Sequence, residues 1–246
     1  MKKYIEIGFT NKSYTENGFF YQEKISNNFN HKIDYSILKK LDFVPKFLGQ
    51  KNNINKWELI DVIPLELNKE NISRIAKNFR KIHESNLKFP PFNLAGRIKE
   101  YRKIMNDKKI SYPEMEKYYK KVNTILRNMD KLTPCHNDLY SANILIEKNT
   151  NKMFFIDWEY SSCGDKHFDL AYFIESNLKT DKEESILLEA YEANYDYSFI
   201  LLQRLLVNYL IVLWLHTFET PPFDPKPFLK KMIELDLKHQ EWIKKN

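Results

Sequence analysis

Three side chains set the chemical question. Asp138 stands two residues after His136, Asn143 follows five residues later, and Asp157 closes the apolar stretch 153–156. An amide oxygen and a carboxylate at such positions are hard oxygen donors of the kind magnesium takes from proteins. A further carboxylate can orient a hydroxyl and accept its proton. Phosphoryl transfer from a nucleotide needs this set: a base for the attacking hydroxyl, oxygen ligands for the metal on the phosphates, and a cation reaching the phosphates from an opposing element. Asp138 is the candidate base, and Asn143 and Asp157 are the candidate metal ligands. The spacing His-x-Asp-x-x-x-x-Asn arises by chance in roughly one chain in thirty of this composition, and a hairpin ending in Asp lowers that figure further. The bland alternative is a polar turn, with Asp138 as a helix cap and Asn143 in the turn. His136 is expected to bond the backbone and hold the loop rather than to do chemistry.

Such groups need walls to hold them. The first third of the chain reads as β-rich. Asn17-Gly18 lies between the stretches 12–15 and 19–25, and an Asn-Gly pair there predicts a tight hairpin because both residues tolerate positive φ. A short helical pattern at 34–41 stops at Phe43-Val44-Pro45, and 47–49 and 57–62 read as further strands. From Asn68 the apolar period becomes helical, with Ile72, Ile75, Ala76, Phe79 and Ile82 on one face. More helices are expected at 93–106, 113–130, 182–194, 198–218 and 226–244. Among them, 144–146 and 153–156 form a small hairpin. The chain therefore divides into a lobe at 1–62 and a lobe at 63–246, joined at Asp61-Val62-Ile63-Pro64 without a flexible linker. A cleft at such a join is where a ligand binds.

Composition narrows the field. The 246 residues are 43% hydrophobic and 15% aromatic, which describes a globular chain, and five glycines exclude glycine-rich repeats. No run of about 18 apolar residues is present; the best stretch, 201–215, is interrupted by Gln203, Arg204 and Asn208, so no membrane insertion is expected. The opening MKKYIEIGFTNKSY lacks the apolar core of a signal peptide, and a cytoplasmic location is expected. Cys135 and Cys163 read as two reduced thiols rather than a disulfide or zinc framework. The net charge of +6 suits an anionic ligand such as a nucleotide, but the charges are scattered and no nucleic-acid partner is expected. Oligomeric state is not legible.

The segments HNDLYSANIL and FIDWEYSSCGDKHFDLAYF resemble the catalytic loop and metal-binding segment of the choline kinase and aminoglycoside phosphotransferase superfamily, and most closely those of bacterial choline kinases of the LicA type. Weaker similarity runs through TNKSY (10–14), ILKKLDFVPKFL (37–48) and FRKIH (79–83). The resemblance implies an α+β, protein-kinase-like two-lobed fold with a small β-rich N-lobe and a larger, mostly helical C-lobe. It implies ATP as co-substrate, Mg2+ as cofactor and a small amino alcohol as acceptor. It assigns Asp138 as base, Asn143 and Asp157 as metal ligands, and Asp169 as a brace for the catalytic loop, where a helix N-cap is the plainer reading. It places Lys24 on the phosphates with Asp34 as its acidic partner, and the strand 57–62, through Glu58 and Ile60, against adenine. The phosphate-covering loop would lie near 8–12, where only one glycine stands.

A quaternary ammonium is recognised by aromatic faces and nearby carboxylates. Trp158, Glu159, Tyr172, Glu175 and Trp214 are the expected acceptor residues, although Ile211 stands where the family often has a second tryptophan. The expected reaction is phosphorylation of the choline hydroxyl. The alternatives are a kinase for ethanolamine, thiamine, an aminoglycoside or a sugar, or a non-catalytic nucleotide-binding protein on the same fold.

Overall fold

The computed structural model describes residues 2–5, 11–25, 29 and 33–246. The N-terminal sheet is antiparallel in the order β1-β2-β3-β5-β4, built from β1 (Lys3–Ile5), β2 (Asn11–Glu16), β3 (Phe19–Lys24), β4 (Phe47–Lys51) and β5 (Ile54–Glu58). The β2–β3 hairpin turns at Asn17 and Gly18, both at positive φ (50° and 75°), as the Asn-Gly pair predicts. A second hairpin joins β4 to β5 through Asn52, also at positive φ. The segment 34–41 is a 3-10 helix, Tyr35–Lys40, capped by Asp34. Tyr35, Phe47 and Trp57 pack ring against ring beneath the sheet.

The strand expected at 57–62 is two pieces. β5 ends at Glu58, and β6 (Val62–Ile63) leaves the first sheet to pair with the hairpin of β8 (Ile144–Glu147) and β9 (Met153–Phe155). The crossing chain is thereby sewn to the segment that carries Asn143 and Asp157. β7 (Thr133–Cys135) pairs antiparallel with β10 (Ser162–Gly164), bracketing the motif on its other side.

The helical part contains α1 (Lys69–His83), α2 (Leu94–Asp107), α3 (Pro113–Asn128), α4 (Lys166–Asn177), α5 (Asp181–Tyr191), α6 (Tyr197–Leu215) and α7 (Lys226–Lys245). Asn68 caps α1 by accepting from the Asn71 N–H, and Pro113 opens α3. Among the described residues α6 is the one helix long and apolar enough to cross a membrane, with a mean hydropathy of 1.8. Its length is spent instead on the core: Leu201, Leu205, Tyr209, Val212 and Leu213 are fully buried among α2, α3, α4 and α7. Both thiols are free, Cys135 buried and Cys163 half-buried.

Candidate active site

The motif residues occupy a loop between β7 and β8. Asp169, in the first turn of α4, sits beneath it fully buried. Its carboxylate accepts from the His136 N–H (2.7 Å), the Asn137 N–H (2.6 Å) and His83 Nε2 (3.1 Å), while His83 Nδ1 meets the Tyr191 hydroxyl at 2.8 Å. The N-cap of α4 is Asp165, not Asp169. Asn137 lies in the left-handed region (φ 64°), and its amide donates to Tyr160 O and Ser162 Oγ. His136 bonds the Ile156 carbonyl at 3.0 Å and lies tilted against Trp158, and burial lowers its pKa, so it ties the loop to the hairpin as a neutral ring. Held at His136 and Asn137, the loop presents Asp138 to the Tyr172 hydroxyl.

Asn143 ends a 3-10 turn (Ser141–Asn143) whose Ser141 N–H is held by Asn177 at the end of α4. The Asn143 amide nitrogen donates to the Asp138 carbonyl at 2.9 Å, which leaves its oxygen as the ligand atom on offer. Asp157 follows β9 in a left-handed conformation (φ 64°, ψ 59°) that swings its carboxylate off the strand and into the cleft. There Gln22 Nε2, on β3 of the opposite lobe, donates to Asp157 Oδ1 at 3.0 Å. Burial raises the Asp157 pKa, and the charges of Glu159 and Asp138 raise it further. Burial pushes the Asp138 carboxyl up to about 7, against a 2.5 Å hydrogen bond from the Tyr172 hydroxyl and the charge of Arg97. Asp138 and Asp157, each resisted in its ionisation by burial and by neighbouring negative charge, form beside a free amide oxygen a hard-oxygen set that a divalent cation would relieve. The donor set therefore fits magnesium, with Asn143 and Asp157 as its ligands.

Lys24, at the end of β3, faces these acids. Burial lowers its pKa while Glu159 and Asp157 draw it back up, and its ammonium lies 5.0 Å from the Tyr35 ring. Its expected partner, Asp34, is a correction: that carboxylate is exposed, caps the 3-10 helix through Ser36 N, and makes no ion pair with Lys24. A cavity of about 410 Å³ opens between the lobes, lined by Phe20, Val44, Trp57, Ile60, Leu145 and Phe155, with Asn143 and Asp157 at its polar end. Ile60 and Glu58 both line it. Glu58 is largely committed elsewhere, since its N–H donates to Lys46 O and its carboxylate accepts from Lys46 N. The expected phosphate-covering loop at 8–12 lies mostly outside the described residues.

The acceptor set needs more revision. Tyr172 is in place on Asp138. Trp158 is only 1% exposed, donates its indole N–H to Phe155 O, and props the loop from behind. Glu159 is buried within electrostatic reach of Asp157 and Lys24. Glu175 is engaged: Oε1 accepts from Arg204 Nε at 2.5 Å and Oε2 from Asn208 Nδ2 at 2.7 Å, with Arg204 also held by Glu184 at 2.7 Å. Trp214, half-buried late on α6, packs edge-on against Phe218. Sequence reasoning missed Gln22, His83 and Arg97. The FRKIH helix carries His83, but nothing local marks Gln22 or Arg97.

The chain is similar to known proteins in sequence and in fold. The family model described as choline/ethanolamine kinase matches residues 19–211. A Protein LicA homolog from Mycoplasma capricolum subsp. capricolum is 38% identical over 233 residues, covering 95% of this chain and 97% of that protein. Among solved structures, choline kinase LicA from Streptococcus pneumoniae superposes with a TM-score of 0.75 at 21% identity, covering 97% of this chain and 93% of that one. A structure of LicA in complex with AMP gives 0.76 at 20% identity, with 97% and 93% covered.

Proposed function

The chain belongs to the choline/ethanolamine kinase family, and on that premise we propose that it transfers the γ-phosphoryl group of ATP, with Mg2+, to the hydroxyl of choline or a close amino alcohol. The observation that carries the reading is that Asn143 and Asp157 stand at the polar end of one interlobe cavity, where Gln22 of the small lobe meets Asp157 and the charges of Asp138 and Lys24 act on the same carboxylate.

The division of labour follows from the hydrogen bonds. Tyr172 occupies Asp138 Oδ1 and leaves Oδ2 to orient the acceptor hydroxyl and take its proton. Asn143 and Asp157 would hold the magnesium, which neutralises phosphate charge when bound. Lys24 steadies the phosphates from the small lobe, and Trp57, Phe20 and Phe155 offer the apolar bed that a nucleobase needs.

The test is ATP consumption against a panel of choline, ethanolamine, thiamine, aminoglycosides and sugars, with wild type and Asp138→Ala. The proposal expects amino alcohols to lead the panel, and Asp138→Ala to lower kcat by at least about a hundredfold while nucleotide affinity persists. Full turnover by Asp138→Ala would remove the assigned base, and a sugar or aminoglycoside leading the panel would remove the assigned acceptor.

A further inference from the structure

The acceptor side of the cleft already contains a cation. Arg97, in the first turn of α2, lays its guanidinium 4.7 Å from the centroid of the Tyr160 ring and 5.5 Å from that of Tyr101. Its Nε donates to the Tyr101 hydroxyl at 3.3 Å, and Phe29 from the small lobe stands edge-on to Tyr101 at 5.4 Å. Burial opposes the charge, yet Tyr101, Tyr160 and Asp138 together raise the Arg97 pKa, and Tyr172 also feels the guanidinium. The same group therefore touches aromatic faces and lies within electrostatic reach of the base.

Nothing structural demands an arginine there. The first turn of a helix carries the positive end of its dipole, which disfavours a cation. Among the described residues no carboxylate lies within ion-pair distance of Arg97. Arg97 as a whole is half-buried, and its guanidinium is enclosed among the rings.

Aromatic faces beside a carboxylate are the recognition chemistry of an alkylammonium ion. Glu175 and Trp158, two residues expected to supply it, are committed to Arg204 and to the core. The faces of Tyr101 and Tyr160 are the ones that meet a positive charge near Asp138. We infer that Arg97 determines acceptor specificity as an internal cation seated on Tyr101 and Tyr160, which the ammonium group of the acceptor displaces on binding. This deepens the amino-alcohol reading and rests on it. Exchange of one cation for another leaves the charge of the site unchanged, and a neutral alcohol has nothing to offer the rings in return.

The test uses tetramethylammonium, which reports the aromatic site without phosphoryl transfer, and calorimetry on the full chain. Arg97→Gln should bind tetramethylammonium about tenfold more tightly than wild type, a change equivalent to about 1.4 kcal/mol. Arg97→Lys, which keeps the charge, should stay close to wild type. Adding Tyr160→Leu to Arg97→Gln should abolish the gain. In turnover the KM for choline should fall in Arg97→Gln by a similar factor, whereas loss of a merely structural contact would depress kcat. Equal or weaker tetramethylammonium binding by a folded Arg97→Gln overturns the inference. So does a rise in the choline KM, which would make Arg97 a direct ligand of the acceptor. A wild type that binds tetramethylammonium but phosphorylates no amino alcohol would instead refute the functional reading and leave the cation exchange standing.

Discussion

Replacing Asp169 with asparagine isolates the brace beneath the catalytic loop. The carboxylate accepts three hydrogen bonds, two from the consecutive backbone N–H groups of His136 and Asn137 and one from His83. Asparagine is nearly isosteric but has one oxygen. If that oxygen serves His136 and His83, the amide nitrogen faces the Asn137 N–H, donor against donor. The lost bond to a charged acceptor is worth about 1.5–3 kcal/mol, and the stranded buried N–H adds about 1–3 kcal/mol. These overlap, and a net loss of about 3–4 kcal/mol is expected. Asn137 is the residue held at positive φ, and Asp138 follows it directly, so release of that N–H moves the base. A displacement of about 1 Å at a reacting group can cost on the order of a hundredfold in rate. Urea unfolding of Asp169→Asn should show the stability loss, and kcat should drop by about that factor with nucleotide affinity changing less. A loss under about 1 kcal/mol with near-normal kcat would refute the brace.

Three further outcomes follow from the geometry. Tyr172→Phe removes the donor that holds Asp138 ionised against burial; the base must be deprotonated to act, so the acid limb of the kcat/KM profile should move to higher pH, readable in a pH series. Lys24→Met should raise the KM for ATP by about tenfold or more and leave the fold intact by thermal unfolding, because the cation is positioned toward Asp157 and Glu159 rather than in the sheet core. Glu175→Ala should act on stability before specificity. It strands part of the buried Arg204 charge, and since Glu184 still pairs with Arg204 the loss should sit near the low end of the roughly 3–5 kcal/mol range for breaking a buried pair, measurable by denaturant unfolding.

What could be read in advance was what is encoded locally. The catalytic loop, its hairpin and the Asn-Gly turn are each set by residues within a few positions of one another, and the structure shows the same elements. Periodicity does not mark α4, which enters the sequence reading only as a helix start at Asp169, because Phe168, Leu170, Ala171, Phe173 and Ile174 are buried nearly all round and no single apolar face gives a helical period. β7 and β10 are three residues each and contain Pro134 and Gly164, which argue against strands. The errors at the site concern partners distant in sequence. Lys24 meets its acids more than 130 residues away, so the resemblance, which pairs it with Asp34 on the following helix, names a carboxylate that caps that helix instead. Arg204 looked like an interruption of an apolar run, and its burial between Glu175 and Glu184 is invisible until α4, α5 and α6 are packed.

The pairing of β6 with β8 has a mechanical consequence. Val62 and Ile63 are stitched to Glu147 and Ile146, and Lys148 N bonds Asp61 O, so the crossover runs along the same hairpin that presents Asn143 and Asp157. A pivot located there has almost no lever arm at Asn143 and Asp157 and a long one at the distal edge of the sheet. Tilting the small lobe would break the Gln22–Asp157 hydrogen bond and carry Lys24 away, yet leave the spacing of Asn143 and Asp157 undisturbed. A swing of the roof would thus leave the floor assembled.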